Sequence, residues 1–178
     1  YYFMSDDVIS NFVYNIFNLS RHVQPIILII IFYPIALFST KASKFAKTIN
    51  LELITSFTIF LAYLYGFKWA FFFGVILGTI MWSQTSLNSM TLINCGTYVF
   101  AAYFGSLAAI WFPAPNFITG YLVAVTLKNI ATFLVFLFLN PSPIENIMHT
   151  FAEFLTNTII APVFLNMLYK LIIFITPI

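Results

Sequence analysis

The sequence predicts an all-α integral membrane protein, a bundle of about six transmembrane helices preceded by an amphipathic helix. Three observations predict this fold class. Of the 178 residues, 62% are hydrophobic and only 7% are charged, whereas soluble domains contain about 25% charged residues. The mean hydropathy is +0.99. Apolar runs follow one another along almost the whole chain and are continuous, unlike the alternating strands of a membrane β-barrel.

Residues 1–22 predict the amphipathic helix. Apolar residues recur there at three- and four-residue spacing, and Asn11, Asn15 and Asn18 lie among them. We expect this helix to lie at the membrane surface. Residues 23–178 then form a single transmembrane domain. The chain begins at Tyr1 and not at Met, so the sequence leaves open whether further residues precede Tyr1.

Six apolar stretches are candidate spans, and short segments rich in Pro, Gly, Asn, Ser or Lys separate them. They cover residues 24–40, 51–66, 69–83, 90–112, 117–139 and 148–175. If all six cross, residues 41–50, 83–89 and 140–147 share one side of the membrane, here called side A. The turns at Gly66 and Pro113 then lie on the opposite side, side B. Three cationic side chains fall on each side, so the positive-inside rule leaves the orientation undecided. We expect a multi-pass protein of the cell membrane.

Lys128 falls near the middle of the fifth span, where an ionised side chain costs several kcal/mol unless a partner or a wet cavity receives it. Tyr121 and Thr132 share its helical face, and Asn129 lies beside it. Two readings are open. Lys128 holds a ligand carboxylate or a neighbouring subunit, or it is a structural residue that pairs with Glu153 or reaches the membrane surface.

Glu153 and Asn157 lie one turn apart on one face at the start of the sixth span. Pro162 follows in the same helix, and we expect it to free a carbonyl that another group in the bundle must satisfy. Glu52, Gln84 and Asn88 lie at the ends and loops of side A, which predicts a pocket that opens there. The alternative is that they are polar because they lie at the membrane interface.

Gly74 and Gly78 in the third span, and Gly105 and Ala109 in the fourth, have the small-xxx-small spacing of closely packed helices. They predict tight packing either within the bundle or against a partner.

The sequence contains no nucleophile elbow, phosphate loop or metalloprotease motif, and Cys95 is its single cysteine. We therefore expect no enzyme, no metal, no cofactor and no nucleic-acid partner.

Residues 51–110 resemble the central helices of one superfamily, which holds the S components of energy-coupling-factor transporters and the MreD-like cell-shape proteins. The shared features are a hydrophobic second helix, a turn led by Gly66, a glycine-containing third helix and a polar break. The closing segment FAEFLTNTIIAPVFLNMLYKLI also resembles the last helix of that superfamily, in which an Asn and a Pro often occur. The resemblance implies a six-helix bundle.

For an S component the resemblance implies a small vitamin-like ligand near the outer face, under residues 41–50. It also implies a membrane coupling subunit and two ATPases as partners. For MreD it implies only membrane partners of the wall-elongation machinery. MreD-like sequences usually close the third helix with an Asp, whereas Trp82 and Ser83 stand at that place here. The leading hypothesis is therefore a substrate-binding subunit for a vitamin-like or anionic solute, and the alternative is a scaffold subunit of a larger membrane complex.

Overall fold

The computed structural model describes residues 6–46, 53–84, 89–139 and 143–175. These residues form six helices, one at each predicted span, and no strand. The first five are α1 Asp6–Ala46, α2 Ile54–Tyr65, α3 Phe67–Ser83, α4 Ser89–Trp111 and α5 Phe117–Leu139. The sixth, α6, consists of Pro143–Leu155, Thr156–Ile160 and Ala161–Ile175. The predicted all-α class is confirmed for this part of the chain.

Four of the six helices are long and apolar enough to cross a membrane. The segments that meet this length and composition are His22–Ala42, Leu92–Trp111, Phe117–Leu139 and Thr150–Phe174. The other two, Ile54–Tyr65 and Phe67–Ser83, are apolar but shorter. With 12 residues, α2 is about 18 Å long, against a hydrocarbon core of about 30 Å.

The first helix has no break at residue 22, where we predicted the surface segment to end. It runs for 41 residues from Asp6 to Ala46 and contains both Pro25 and Pro34. In its apolar half, Phe32 and Ala36 are fully buried while Ile30 and Phe38 are exposed. The Phe32 ring stacks on the Phe57 ring of α2 with 4.1 Å between centroids. One face of α1 therefore packs on the bundle.

The short α2 helix lies at the centre of the bundle. Every residue from Ile54 to Tyr63 is buried, so neighbouring helices cover all of its faces. A helix that is hydrophobic all round is expected in such a position. Gly66 ends it with a φ of +83°, a left-handed backbone that glycine adopts without strain.

The glycine positions predicted to pack closely lie against α2 and α4 of the same chain. A Cβ atom on Gly74 would lie 2.5 Å from Thr58 Oγ1, and one on Gly105 would lie 2.6 Å from Ala62 Cβ. A Cβ atom on Gly78 would lie 3.1 Å from the ring of Tyr98. The absence of side chains thus lets α3 and α4 approach the central helix.

Candidate functional site

A cluster of buried polar side chains lies between α2, α5 and α6. The predicted face of α5 is buried as a unit: Tyr121 is fully covered, Lys128 and Thr132 are each 1% exposed, and Asn129 is 6% exposed. Glu153 and Asn157, one turn apart on α6, are buried as well. The helical spacing that suggested two polar faces therefore brings them together inside the protein.

Lys128 and Glu153 form an ion pair, with Lys128 Nζ donating to Glu153 Oε1. Thr55 Oγ1 of α2 donates to the same carboxylate oxygen at 2.7 Å. This arrangement corresponds to the second interpretation of Lys128, in which it is a structural residue that pairs with Glu153. Paired and hydrogen-bonded, the two charges avoid most of the cost of an isolated charge in an apolar interior.

A second set of hydrogen bonds joins Ser56, Tyr121 and Asn157. Ser56 Oγ donates to Asn157 Oδ1 and lies 2.7 Å from the Tyr121 hydroxyl. Tyr121 OH also donates to the backbone oxygen of Asn157 at 2.9 Å. This carbonyl belongs to the π-helical segment Thr156–Ile160, in which Ala161 N–H bonds to Thr156 O. The next donor in that register is residue 162, a proline without an N–H. Tyr121 therefore satisfies the carbonyl that Pro162 leaves open.

Four buried polar atoms in the described part of the chain have no hydrogen-bond partner. They are Asn129 Oδ1, Thr132 Oγ1, Thr150 Oγ1 and Asn157 Nδ2. All four lie on α5 or α6, close to the ion pair along the helices. Thr132 lies one turn from Lys128 on α5, and Asn129 is next to Lys128. Thr150 and Asn157 lie one turn before and one turn after Glu153 on α6. Buried polar groups normally have a hydrogen-bond partner, so these four atoms are hydrogen-bonding groups that the chain does not use itself.

A groove of about 470 Å³ runs between α5 and α6. Its wall is apolar and consists of Ile130, Phe133, Leu134, Phe151 and Phe154. Its polar lining consists of Thr126, Asn129 and Thr150, and the last two carry unpartnered atoms. A separate cavity of about 290 Å³ lies at the Pro113 turn and is lined by Tyr63, Ala109 and Tyr169, among others. This second cavity lies at the end of the bundle that holds the Pro113 turn. The pocket that the sequence predicts at side A involves Glu52 and Asn88, which lie outside the described residues.

Of the three remaining predicted ligand residues, the structure describes only Gln84, which is not part of the buried cluster. Gln84 is exposed at the end of α3, where its Nε2 donates to Tyr33 OH at 3.4 Å. Glu52 and Asn88 lie outside the described residues. In the described ranges, no three His, Cys, Asp or Glu side chains group closely enough to hold a metal ion. Cys95 is buried in the core.

Three cluster residues were not selected from the sequence: Thr55, Ser56 and Thr150. Thr55 and Ser56 interrupt the apolar run LITSFTIF, which was the available signal. Thr150 precedes Glu153 by one turn and lies on the same helical face as Glu153 and Asn157, so the polar face of the sixth span begins one turn earlier than Glu153.

No protein-family model, curated protein or solved structure matches this chain.

Proposed function

We propose that the chain is a non-catalytic, membrane-embedded subunit that binds a small solute, in the manner of an S component of an energy-coupling-factor transporter. The observation that carries the proposal is the row of four unpartnered polar atoms on α5 and α6. Each such atom costs about 1–3 kcal/mol in a buried position. A bound molecule with hydrogen-bonding groups would recover part of that cost.

In this proposal the Lys128–Glu153 pair organises the site and is not its ligand contact. Both charges are used within the chain, and Thr55 adds a hydrogen bond to the pair. Such a pair fixes the distance between α5 and α6 and so keeps the neighbouring Asn129 and Thr150 in place. Of the two interpretations that the sequence leaves open for Lys128, this proposal adopts the structural one, in which Lys128 positions the residues beside it and does not hold a solute carboxylate.

The proposal includes six membrane crossings in a multi-pass protein of the cell membrane. The short α2 can cross because protein surrounds it on every side, so it does not have to match the thickness of the lipid itself. An S-component role also requires a membrane coupling subunit and two ATPases. We propose these as the partners, since the resemblance places the ATP chemistry in those subunits.

A scaffold subunit of a larger membrane complex, MreD-like or otherwise, is the second candidate function. The pairing of Lys128 with Glu153 favours it, because a lysine that has a partner within the chain needs no ligand. The glycine faces weigh against it. Thr58 and Tyr98 of the same chain already fill the space beside Gly74 and Gly78, so these glycines are not free to receive another subunit.

The test is thermal unfolding of the purified protein in lipid nanodiscs with a panel of solutes. The panel contains the anions biotin and pantothenate, the uncharged riboflavin, and the amphiphile 1-dodecanol. A ligand at 100 times its Kd stabilises a protein by about 2.7 kcal/mol, which raises the unfolding temperature of a domain of this size by roughly 5–10 °C. We expect at least one compound to do so.

The binding residues are tested with Asn129→Leu and Thr150→Val, each of which removes an unpartnered group. We expect each to weaken binding of the stabilising compound about tenfold. Thr79→Val is the matched control, because the Thr79 hydroxyl already bonds to Val75 O of its own helix at 2.6 Å. A panel without any stabilising compound, or equal binding by all three variants, contradicts the proposal.

A further inference from the structure

The groove between α5 and α6 has the size and lining of a binding site for an uncharged molecule. Its volume of about 470 Å³ falls within the roughly 300–1,000 Å³ of small-molecule sites. None of the described side chains that line it carries a charge. The nearest charges along the two helices, Lys128 and Glu153, neutralise each other and are 1% and 4% exposed in their side chains. Among these described residues an anionic solute would find no counter-ion.

The depth of the groove excludes a phospholipid headgroup as the group that meets Asn129. This residue lies near the midpoint of the 23-residue α5, about 15–18 Å from either end of the helix. The whole of α5 is apolar enough to cross the membrane. Headgroups lie outside a hydrocarbon core about 30 Å thick. A phospholipid would therefore place only methylene groups against Asn129 and leave its oxygen unpaired.

The unused hydrogen-bonding groups define what an occupant must supply. Asn129 Nδ2 donates to Val125 O at 2.8 Å, which leaves the acceptor Oδ1 open. Thr150 Oγ1, also unpartnered, can both donate and accept. Both oxygens are covered by neighbouring atoms, so binding at this site requires these two side chains to rotate toward the groove. The occupant needs a hydrogen-bond donor for Asn129 and an apolar body for the aromatic and aliphatic wall.

We propose that the α5–α6 groove binds an uncharged amphiphile, with a body of alkyl or ring carbons and one hydroxyl or amide donor, that enters from the surrounding lipid. This proposal rests on the solute-binding function and names the ligand class of that site. It replaces the anionic solute suggested by an unpaired Lys128. It also makes the lipid, and not the water on side A, the phase from which the ligand arrives.

The test uses three photoreactive probes with the same diazirine-bearing twelve-carbon chain. One ends in an alcohol, the second in a methyl ether and the third in a carboxylate. Each is irradiated with the protein in nanodiscs, and the labelled residues are mapped by mass spectrometry. We expect the alcohol to label residues of the groove about tenfold more than the other two probes, because only it offers an uncharged donor.

The groove itself is tested by filling it. Ile130→Trp places a large side chain on the groove wall and should lower labelling by the alcohol about tenfold. Leu171→Trp is the matched control, since Ile130 and Leu171 are each 53% exposed but Leu171 lies outside the groove. Leu134→Trp, on the same wall, repeats the test independently of how well Ile130→Trp folds. Labelling that neither groove variant lowers overturns the proposal.

Four other outcomes overturn it in distinguishable ways. Equal labelling by the alcohol and the ether shows that a hydrogen bond to Asn129 does not select the ligand. Preferential labelling by the carboxylate, together with stabilisation by an anion of the solute panel, leaves the solute-binding function intact and refutes the ligand class. Labelling in nanodiscs that is blocked in native membranes assigns the groove to a transmembrane helix of a partner. If no compound of the panel stabilises the protein, the solute-binding function itself fails.

Discussion

Lys128 illustrates how a charged residue is accommodated deep inside an apolar bundle. Its ammonium group has a carboxylate partner one helix away, and Thr55 of a third helix bonds to the same carboxylate oxygen. Removing one member of a buried pair leaves the other charged and uncompensated, which costs more than the pair contributes. The stability of this site therefore depends on charge balance more than on either residue alone.

We predict that Lys128→Met destabilises the protein by about 3–5 kcal/mol, because Glu153 then remains as a lone buried carboxylate. The double variant Lys128→Met/Glu153→Gln should recover at least about 2 kcal/mol of this loss, since it buries no charge and the amide still accepts from Thr55. Unfolding in SDS–detergent mixtures measures both values.

The control for this pair is Lys170→Met, which removes a lysine that lies exposed on α6. We expect it to change the free energy of unfolding by less than about 0.5 kcal/mol. If the double variant is no more stable than Lys128→Met, the ion pair is not what requires Lys128.

At this scale the sequence identified six members of the cluster, because a polar residue inside an apolar run is a strong signal. They were found by their positions on two helix faces, and the structure buries all six: Tyr121, Lys128, Asn129, Thr132, Glu153 and Asn157. Thr55 and Ser56 were not found. Hydroxyl side chains often bond to their own helix in a membrane, so only the packing of α2 against α6 shows that these two bond outward.

At the scale of one element, α6 combines a proline, a π-helical segment and a hydrogen bond from another helix. The π-helical register of Thr156–Ile160 directs Ala161 N–H to Thr156 O. Asn157 O is then left without a donor from Pro162 and accepts from Tyr121 OH. The irregular turn of α6 and its contact with α5 thus depend on each other. The predicted carbonyl freed by Pro162 is therefore present, and its partner is identified.

We predict that Tyr121→Phe destabilises the protein by about 1–3 kcal/mol, because Asn157 O becomes a buried acceptor without a donor. In a Pro162→Ala background the cost should be smaller by about 1 kcal/mol or more, since the substituted residue supplies a backbone N–H to the helix. A double-mutant cycle of unfolding free energies measures this coupling. Tyr103→Phe, at a residue that is 51% exposed, is the control and should be neutral. Strictly additive effects of the two substitutions contradict this account of α6.

For the whole molecule, hydropathy predicted the six apolar stretches, and the described residues form a helix at each of them, but the separate surface helix predicted over residues 1–22 is continuous with α1 from Asp6 onward. The predicted span 117–139 coincides with α5, and 90–112 differs from α4 by one residue at each end. The continuity of α1 was not predicted, because a helix that changes from amphipathic to apolar shows no break at the change. The location of the groove was also beyond the sequence, since it depends on where α5 and α6 diverge, and no residue pattern encodes that distance.

Whether α2 and α3 cross the membrane decides the topology of the protein. If they do, the turn at Gly66 lies on the same side as the Pro113 turn, and residue 41 lies on the opposite side. If α2 and α3 instead enter the membrane and return without crossing it, residues 41 and 68 are accessible from the same side of the membrane. Both helices are too short for their length alone to settle the question.

We predict the first arrangement, and single cysteines at three exposed positions test it. In a Cys95→Ala background, Lys41→Cys, Lys68→Cys and Ala114→Cys each place a thiol on an exposed residue. A membrane-impermeant maleimide, applied to right-side-out and inverted vesicles, should label Lys68→Cys and Ala114→Cys from one side and Lys41→Cys from the other. The pairing of these labels is informative in either orientation of the protein, so the undecided charge balance does not affect it. Labelling of Lys68→Cys from the side of Lys41→Cys would refute six crossings and would make α2 and α3 a re-entrant pair. Such a pair can lie at membrane depth, because protein contacts surround α2 and shield its backbone from lipid.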